Sequence, residues 1–226
     1  MLSTLLTPSI FISYIFVLAI AFTVHEFAHA WTANRFGDDT PRLNGRLTLN
    51  PMAHLDPIGS LMLFVAGFGW AKPVPVNPYA LQRHSSAATM WVSLAGPASN
   101  FLMAVIASIP FQLGLVTAQD AITSMVTAKE HFFPTISQLL YIFISTNLLL
   151  MVFNLIPIAP LDGEKILYYF LPFEGQQFMD TIRPYGPILL LALIFVLPFL
   201  FRPLGVDILS LIIRTPVDAL TRLLIL

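Results

Sequence analysis

Apolar positions fill four long stretches of the chain, and polar ones gather in the gaps between them. The first stretch carries no charge from Met1 to Val24, and its centre reads Ile10-Phe-Ile-Ser-Tyr-Ile-Phe-Val-Leu-Ala-Ile-Ala21. Such a run predicts a membrane-spanning helix from about Ser9 to Phe36, stopped by Gly37. Trp31 suits the membrane–water interface, with Arg35 just beyond it. Ala87 to Thr117 predicts a second full span, Pro134 to Ile156 a third and Tyr185 to Phe201 a fourth. In the first gap, Arg42-Leu-Asn-Gly-Arg-Leu-Thr-Leu49 alternates about an Asn-Gly pair, which signals a β hairpin. Pro57 to Ala71 is apolar but well short of the ~20 residues of a spanning helix. It is expected to enter the membrane and return, or to cross as a short helix. The prolines of Lys72 to Pro78 forbid helix and leave an edge strand or extended loop. Ala118 to Phe133 reads as a polar loop and Lys165 to Phe170 as a short helix. Asp207 to Leu226 sets Asp207, Arg214, Asp218 and Arg222 among leucines, so it either lies in the interface or packs as a short last helix. The expected fold class is an all-α polytopic membrane protein. It would have about four full transmembrane helices, re-entrant or short segments, and a small membrane-associated β hairpin or sheet.

Composition agrees. Of 226 residues 57% are hydrophobic and 10% charged, and the mean hydropathy is +0.80, as in membrane proteins. A net charge of −1 gives no reason to expect nucleic acid as a partner. The absence of cysteine excludes disulfides and thiolate-bound metals, so any metal must take His, Asp, Glu, Asn or water. The N-terminus lacks the basic region and cleavage site of a secretory signal and is read as retained. No repeat appears, and the longest polar stretch, roughly Asn34 to Pro57, is too short for a soluble domain. One domain is expected over 1–226, with a core at about 9–170 and C-terminal helices at 171–226.

Basic residues suggest an orientation. Arg35, Arg42, Arg46, Lys72 and Arg83 fall between the first two spans, Lys165 and Arg183 between the last two, and Lys129 alone between the middle two. That pattern puts the C-terminal ends of the first and third spans on the cytoplasmic side. Arg202, Arg214 and Arg222 oppose it unless the C-terminal segment re-enters or crosses.

The chemistry concentrates at Val24-His25-Glu26-Phe27-Ala28-His29. Histidines four apart share one helix face and can hold one zinc ion. A glutamate after the first can take a proton from water at that metal. Ionisable groups in a spanning helix are costly and point to function. A catalytic zinc takes three protein ligands and keeps one position open. Candidates for the third are His54, His84 and His131, all in polar connections, and Asp162. Asp162 follows the helix-breaking Pro157 and Pro160 at the same end of the membrane as His25 and His29, and is the preferred choice. An N-cap for the helix starting at Gly163 is its structural alternative.

Two motifs, His25-Glu26-x-x-His29 and Asn154-x-x-Pro-x-x-Pro-Leu-Asp-Gly163, resemble the signatures of the site-2 protease family of intramembrane zinc metalloproteases. Leu94-Ala95-Gly96-Pro97 with Asn100 resembles its central motif. Asn50-Pro51-x-x-His54-x-Asp56-Pro57-x-Gly59 and Gly69-Trp-Ala-Lys-Pro-Val-Pro-Val76 resemble connections of its compact members, which lack PDZ and CBS domains. The likeness covers roughly Phe22 to Lys165. It implies a zinc endopeptidase that cuts peptide bonds within or near transmembrane segments, with one zinc per chain on His25, His29 and Asp162. It further implies Glu26 as general base and Asn154 as a catalytic group beside the site. Asn100 would orient substrate or hold the first two spans together, His54 would contact substrate, and Gly96 and Ala95 would serve close helix packing. The implied partners are a transmembrane protein substrate and the lipid bilayer, with room for a regulatory membrane protein. The location would be a multi-pass cell-membrane protein with its site facing the cytoplasm; substrate and oligomeric state stay open. The competing readings are a catalytically silent membrane-helix-binding quality-control protein and a metal transporter. The two extended segments, Arg42 to Leu49 and Lys72 to Val76, could receive an unwound substrate as an added strand.

Overall fold

A computed structural model describes residues 7–59, 62 and 69–226, with only the backbone at 202. Helix α1 (Pro8–Arg35) is the first span. One face buries Ile10, Ser13, Val17, Ala21, His25, His29 and Ala33, spaced by three and then by fours. Ser13, Ala21 and Ala33 are small enough to let neighbouring helices approach closely, and the two histidines simply extend the stripe. Gly37, at φ +79°, ends the helix as expected: Asp38 N donates to Ala33 O (3.0 Å) and Gly37 N to Asn34 O (3.1 Å).

The Asn44-Gly45 pair does not make a hairpin. Among the described residues no β-strand occurs, and the only pairing of that kind is a single bridge between Leu55 and Ala71. The chain instead forms a short helix α2 (Thr40–Leu43). Asp38 Oδ1 accepts from Thr40 N at its start (2.9 Å). Gly45, at φ +67°, closes it as a Schellman motif, with Arg46 N donating to Pro41 O (2.8 Å) and Gly45 N to Arg42 O (3.0 Å). A left-handed glycine suits a hairpin turn and a helix C-terminus equally, and the aspartate ahead of Thr40-Pro41 decides for helix. The all-α part of the expected fold class holds; the β hairpin or sheet is withdrawn. The re-entrant reading of Pro57 to Ala71 falls mostly outside the described residues.

Helix α3 (Pro78–His84) is capped by Asn77 and leads into α4 (Ala88–Gln112), the second span. The expected polar loop after it is largely helical: α5 (Ala118–Val126) starts with a capping box between Thr117 and Asp120. The third span is α6 (Ile136–Asn154). A Pro-rich loop leads to α7 (Asp162–Phe170). The fourth span begins earlier than the pattern suggested. It includes α8 (Phe173–Ile182), α9 (Gly186–Leu191), a π turn at Ala192–Val196 and α10 (Leu197–Phe201).

Helix α4 lies against α1, α6 and α7. The last helix, α11 (Thr215–Ile225), packs rather than floats in the interface: Val217 joins Ala104, Phe111, Ala121, Ile144 and Leu148 in one core. Four helices long and apolar enough to cross a membrane, with side chains such as Phe16 and Phe199 facing outward, make this an integral membrane protein.

Candidate metal centre

Three elements converge on one point. Helix α1 supplies His25, Glu26 and His29, α4 packs across them, and α7 brings Asp162. All four side chains are buried. Asp162 is the first residue of α7 and does not cap it: Leu161 holds the cap position, and no side chain caps there. Gly163 makes the approach possible, because a Cβ on it would come within 2.6 Å of Ile156 O.

His25 Nε2 and His29 Nε2 lie 3.0 Å apart, and Asp162 Oδ2 is 3.3 Å from the first and 3.2 Å from the second. The hydrogen bonds on the far side of each ring fix what those atoms are. His29 Nδ1 meets Val92 O at 2.7 Å; a carbonyl only accepts, so Nδ1 carries the hydrogen, which in the neutral ring leaves Nε2 a bare lone pair. For His25 the same conclusion follows through two asparagines. Asn147 Nδ2 donates to Phe143 O (2.9 Å), so its Oδ1 turns to Asn100 and accepts from Nδ2 there (2.8 Å). Asn100 Oδ1 is then left to accept from His25 Nδ1 (2.6 Å). Three acceptors this close repel one another unless a cation sits between them. The donor pairs of a tetrahedron with arms of ~2.0–2.1 Å are about 3.3 Å apart, so the residues present fit zinc.

Glu26 points to one side of this trio, where its Oε2 accepts from Val74 N (3.0 Å). Val74 belongs to the extended segment Lys72 to Asn77, whose backbone is tied down along its length. Arg46, itself buried, donates to Lys72 O (2.7 Å) and Pro73 O (2.6 Å) and also to Ala53 O. Lys72 N donates to His54 O (2.8 Å), and Asn77 N to Asp38 Oδ2 (2.6 Å). These bonded groups are not open to an added substrate strand, and Arg42 to Leu49 forms no strand.

The other expected site residues are placed as follows. Asn100 joins α1 to α6 through His25 and Asn147, which fits its helix-holding role. Asn154 ends α6 and donates one amide N–H to Leu150 O (3.0 Å); no hydrogen bond links it to the trio. His54 is fully buried, its Nε2 donating to Thr48 O (2.7 Å), and it makes no contact of that kind with the ligands. Gly96 does more than pack helices, since it faces the imidazole edges directly. Val92, Val74 and Asn147 were not anticipated. Asn147 carried a signal, being an amide inside an apolar span; the two valines act through backbone atoms and carried none.

The model of peptidase family M50 matches residues 13–197. "Putative zinc metalloprotease YwhC" of Bacillus subtilis is 41% identical over 184 residues, covering 81% of this chain and 80% of its own. "Putative zinc metalloprotease Rip2" of Mycolicibacterium smegmatis is 33% identical over 192 residues, covering 80% and 67%. A Rip2 of Mycobacterium tuberculosis, strain H37Rv, is 32% identical over 190 residues, covering 79% and 67%. No solved structure matches the chain significantly.

Proposed function

The chain belongs to peptidase family M50, the site-2 proteases, and is an intramembrane zinc endopeptidase; from that premise we propose that His25, His29 and Asp162 hold the zinc and that Glu26 is the general base. The observation that carries this assignment is the meeting of three bare acceptor atoms, 3.0 to 3.3 Å apart, in a buried pocket. Zinc bound there supplies a Lewis acid that lowers the pKa of water and polarises a peptide carbonyl. The backbone N–H of Val74 holds the Glu26 carboxylate in a fixed direction. Glu26 takes a proton from the attacking water and returns it to the leaving amine. Asn154, with one amide N–H engaged on Leu150, keeps a second to donate to the substrate carbonyl. His54 supports the loop that positions Lys72 to Asn77 and reaches substrate only through it. The substrate is a membrane protein cut in or near a transmembrane segment. The excess of basic residues on the connections that carry the site supports a cytoplasmic-facing centre. Residues of about 9–170 form the catalytic core, with 171–226 as its flanking helices. A metal transporter or a silent helix-binding protein is not favoured: the ligands gather at one level and Glu26 stands beside them.

Metal analysis and cleavage of a single-span protein substrate test this reading together. Glu26→Gln should keep about one zinc per chain and lose activity by about 10²–10⁴-fold. His25→Ala and Asp162→Ala should lose the metal. Zinc retained in Asp162→Ala removes that residue from the centre, and near-normal cleavage by Glu26→Gln removes Glu26 as the base.

A further inference from the structure

The Asn100 amide could sit either way round beside His25, and only one way suits a metal ligand. With Oδ1 toward Nδ1, the imidazole keeps its hydrogen there and leaves Nε2 free. Turned over, the amide would offer Nδ2 instead, favouring an imidazole with its hydrogen on Nε2, which cannot coordinate. Nothing on α1 or α4 decides between the two. The decision comes from α6, where Asn147, fully buried, accepts from Asn100 Nδ2 at 2.8 Å. Its own orientation is fixed one turn back by Phe143 O, at 2.9 Å. The relay starts from a carbonyl, which cannot act as a donor, so its sense cannot reverse.

We infer that Asn147, which touches neither metal ligand nor substrate, is a positioning residue that sets the tautomer of His25 and through it the affinity of the centre for zinc. The inference rests on the reading of His25 as a ligand. Partners that orient a ligating histidine typically contribute 10–100-fold to metal affinity. Asn147 does so at one remove, because it orients the group that orients the ring. It also places the third span in control of a ligand carried by the first.

The test uses the full-length protein in detergent, with zinc affinity and the ¹⁵N spectrum of labelled histidines in the metal-free state as readouts. In the unaltered protein His25 should carry its hydrogen on Nδ1. In Asn147→Leu a population with the hydrogen on Nε2 should appear and zinc should bind about 10–100-fold more weakly. Asn100→Asp should rescue that variant. A carboxylate accepts at either oxygen, so it cannot offer a donor and needs no partner to orient it; the Asn100→Asp, Asn147→Leu pair should bind zinc within a few fold of Asn100→Asp alone. If Asn147→Leu does not fold, Asn147→Ala is read in the same way. A weakened site with an unchanged tautomer and no rescue would mean that Asn147 only packs, and the inference fails. His25→Ala keeps the two ideas apart. If it retains zinc, His25 is not a ligand and both readings fall. If it loses zinc while Asn147→Leu binds normally, the ligand assignment stands and the role of Asn147 is disproved.

Discussion

A methyl group on Gly96 would come within 2.6 Å of His25 Cε1 and nearer still to His29 Nε2. The backbone of α4 is therefore pressed against the two imidazoles, and no other residue fits there without moving them. Gly96→Ala gives opposite effects on two observables. In a helix interior alanine is favoured over glycine by ~1 kcal/mol, while overpacking costs ~1–3 kcal/mol, so net stability should change by no more than ~2 kcal/mol. The displaced rings cannot keep their geometry, so metal analysis should find zinc binding weakened at least tenfold, with Ala98→Gly as the control that leaves it alone. Zinc bound normally by Gly96→Ala would show that α4 yields instead of the histidines. From the sequence, His25, Glu26 and His29 were legible because their spacing is itself geometry, one helical turn. Asp162 was legible because the prolines before it mark a break at the right end of a span. Gly96 was read as a packing residue, since a glycine's role depends on what stands opposite it, and the sequence does not say what that is. Val92 and Val74 contribute a carbonyl and an amide, which every residue has, so no pattern could have singled them out.

Among the elements, the spanning helices were the legible part and the connections were not. A run of apolar residues long enough to cross a bilayer has few alternatives, because lipid leaves no partner for unpaired backbone. Polar connections have many. Asn44-Gly45 fits a hairpin turn and a helix terminus, and Thr117 with Asp120 is a capping box whose strength shows only once α5 has something to pack on. The segment Lys72 to Asn77 was rightly expected to be extended, because Pro73 and Pro75 allow little else. Its bonds to Arg46, His54, Asp38 and Glu26 make it a strap across the Glu26 side of α1. Val74→Pro tests the strap at one atom. Val74 precedes Pro75 and is already held to extended backbone, and the substitution removes the N–H that Glu26 accepts from. A hydrogen bond to a charged group is worth ~1.5–3 kcal/mol. Steady-state assays should therefore show kcat lowered by about tenfold or more, with KM and zinc content nearly unchanged, while Val74→Ala stays close to normal. Equal rates for the two variants would mean that the Val74 contact does not hold Glu26 in the working enzyme.

Across the whole molecule, the centre lies where α1, α4 and α7 meet, and the fourth span is joined to it from outside. Ile156 and Leu161, on the loop that carries Asp162, pack on Leu193. Gly186 lies so close to Ala159 that a Cβ would come within 2.8 Å of the Ala159 carbonyl carbon. Polar links complete the joint: Tyr168 OH donates to Asp180 Oδ2 (3.1 Å), Gln176 Nε2 to Tyr168 O (3.2 Å), and Arg183 donates from Nε (2.9 Å) and Nη2 (2.8 Å) to Glu164 Oε1. Glu164 is 3% exposed and follows Asp162 by two residues, so an unpaired charge there would sit beside the proposed metal centre. Removing one partner of a fully buried pair costs ~3–5 kcal/mol, mostly through the charge left behind. The Arg183 side chain is 45% exposed, so water can reach part of the gap, and the cost of Arg183→Met should be nearer ~2 kcal/mol. Thermal unfolding in detergent measures it. Glu164→Gln in the Arg183→Met background removes the stranded charge and should recover at least half of the loss, a coupling that separate contributions would not give. If the double variant is instead the sum of the two single ones, the pair is incidental, and the fourth span is held by the remaining contacts, the apolar ones of Ile156, Leu161 and Leu193 and the hydrogen bonds of Tyr168.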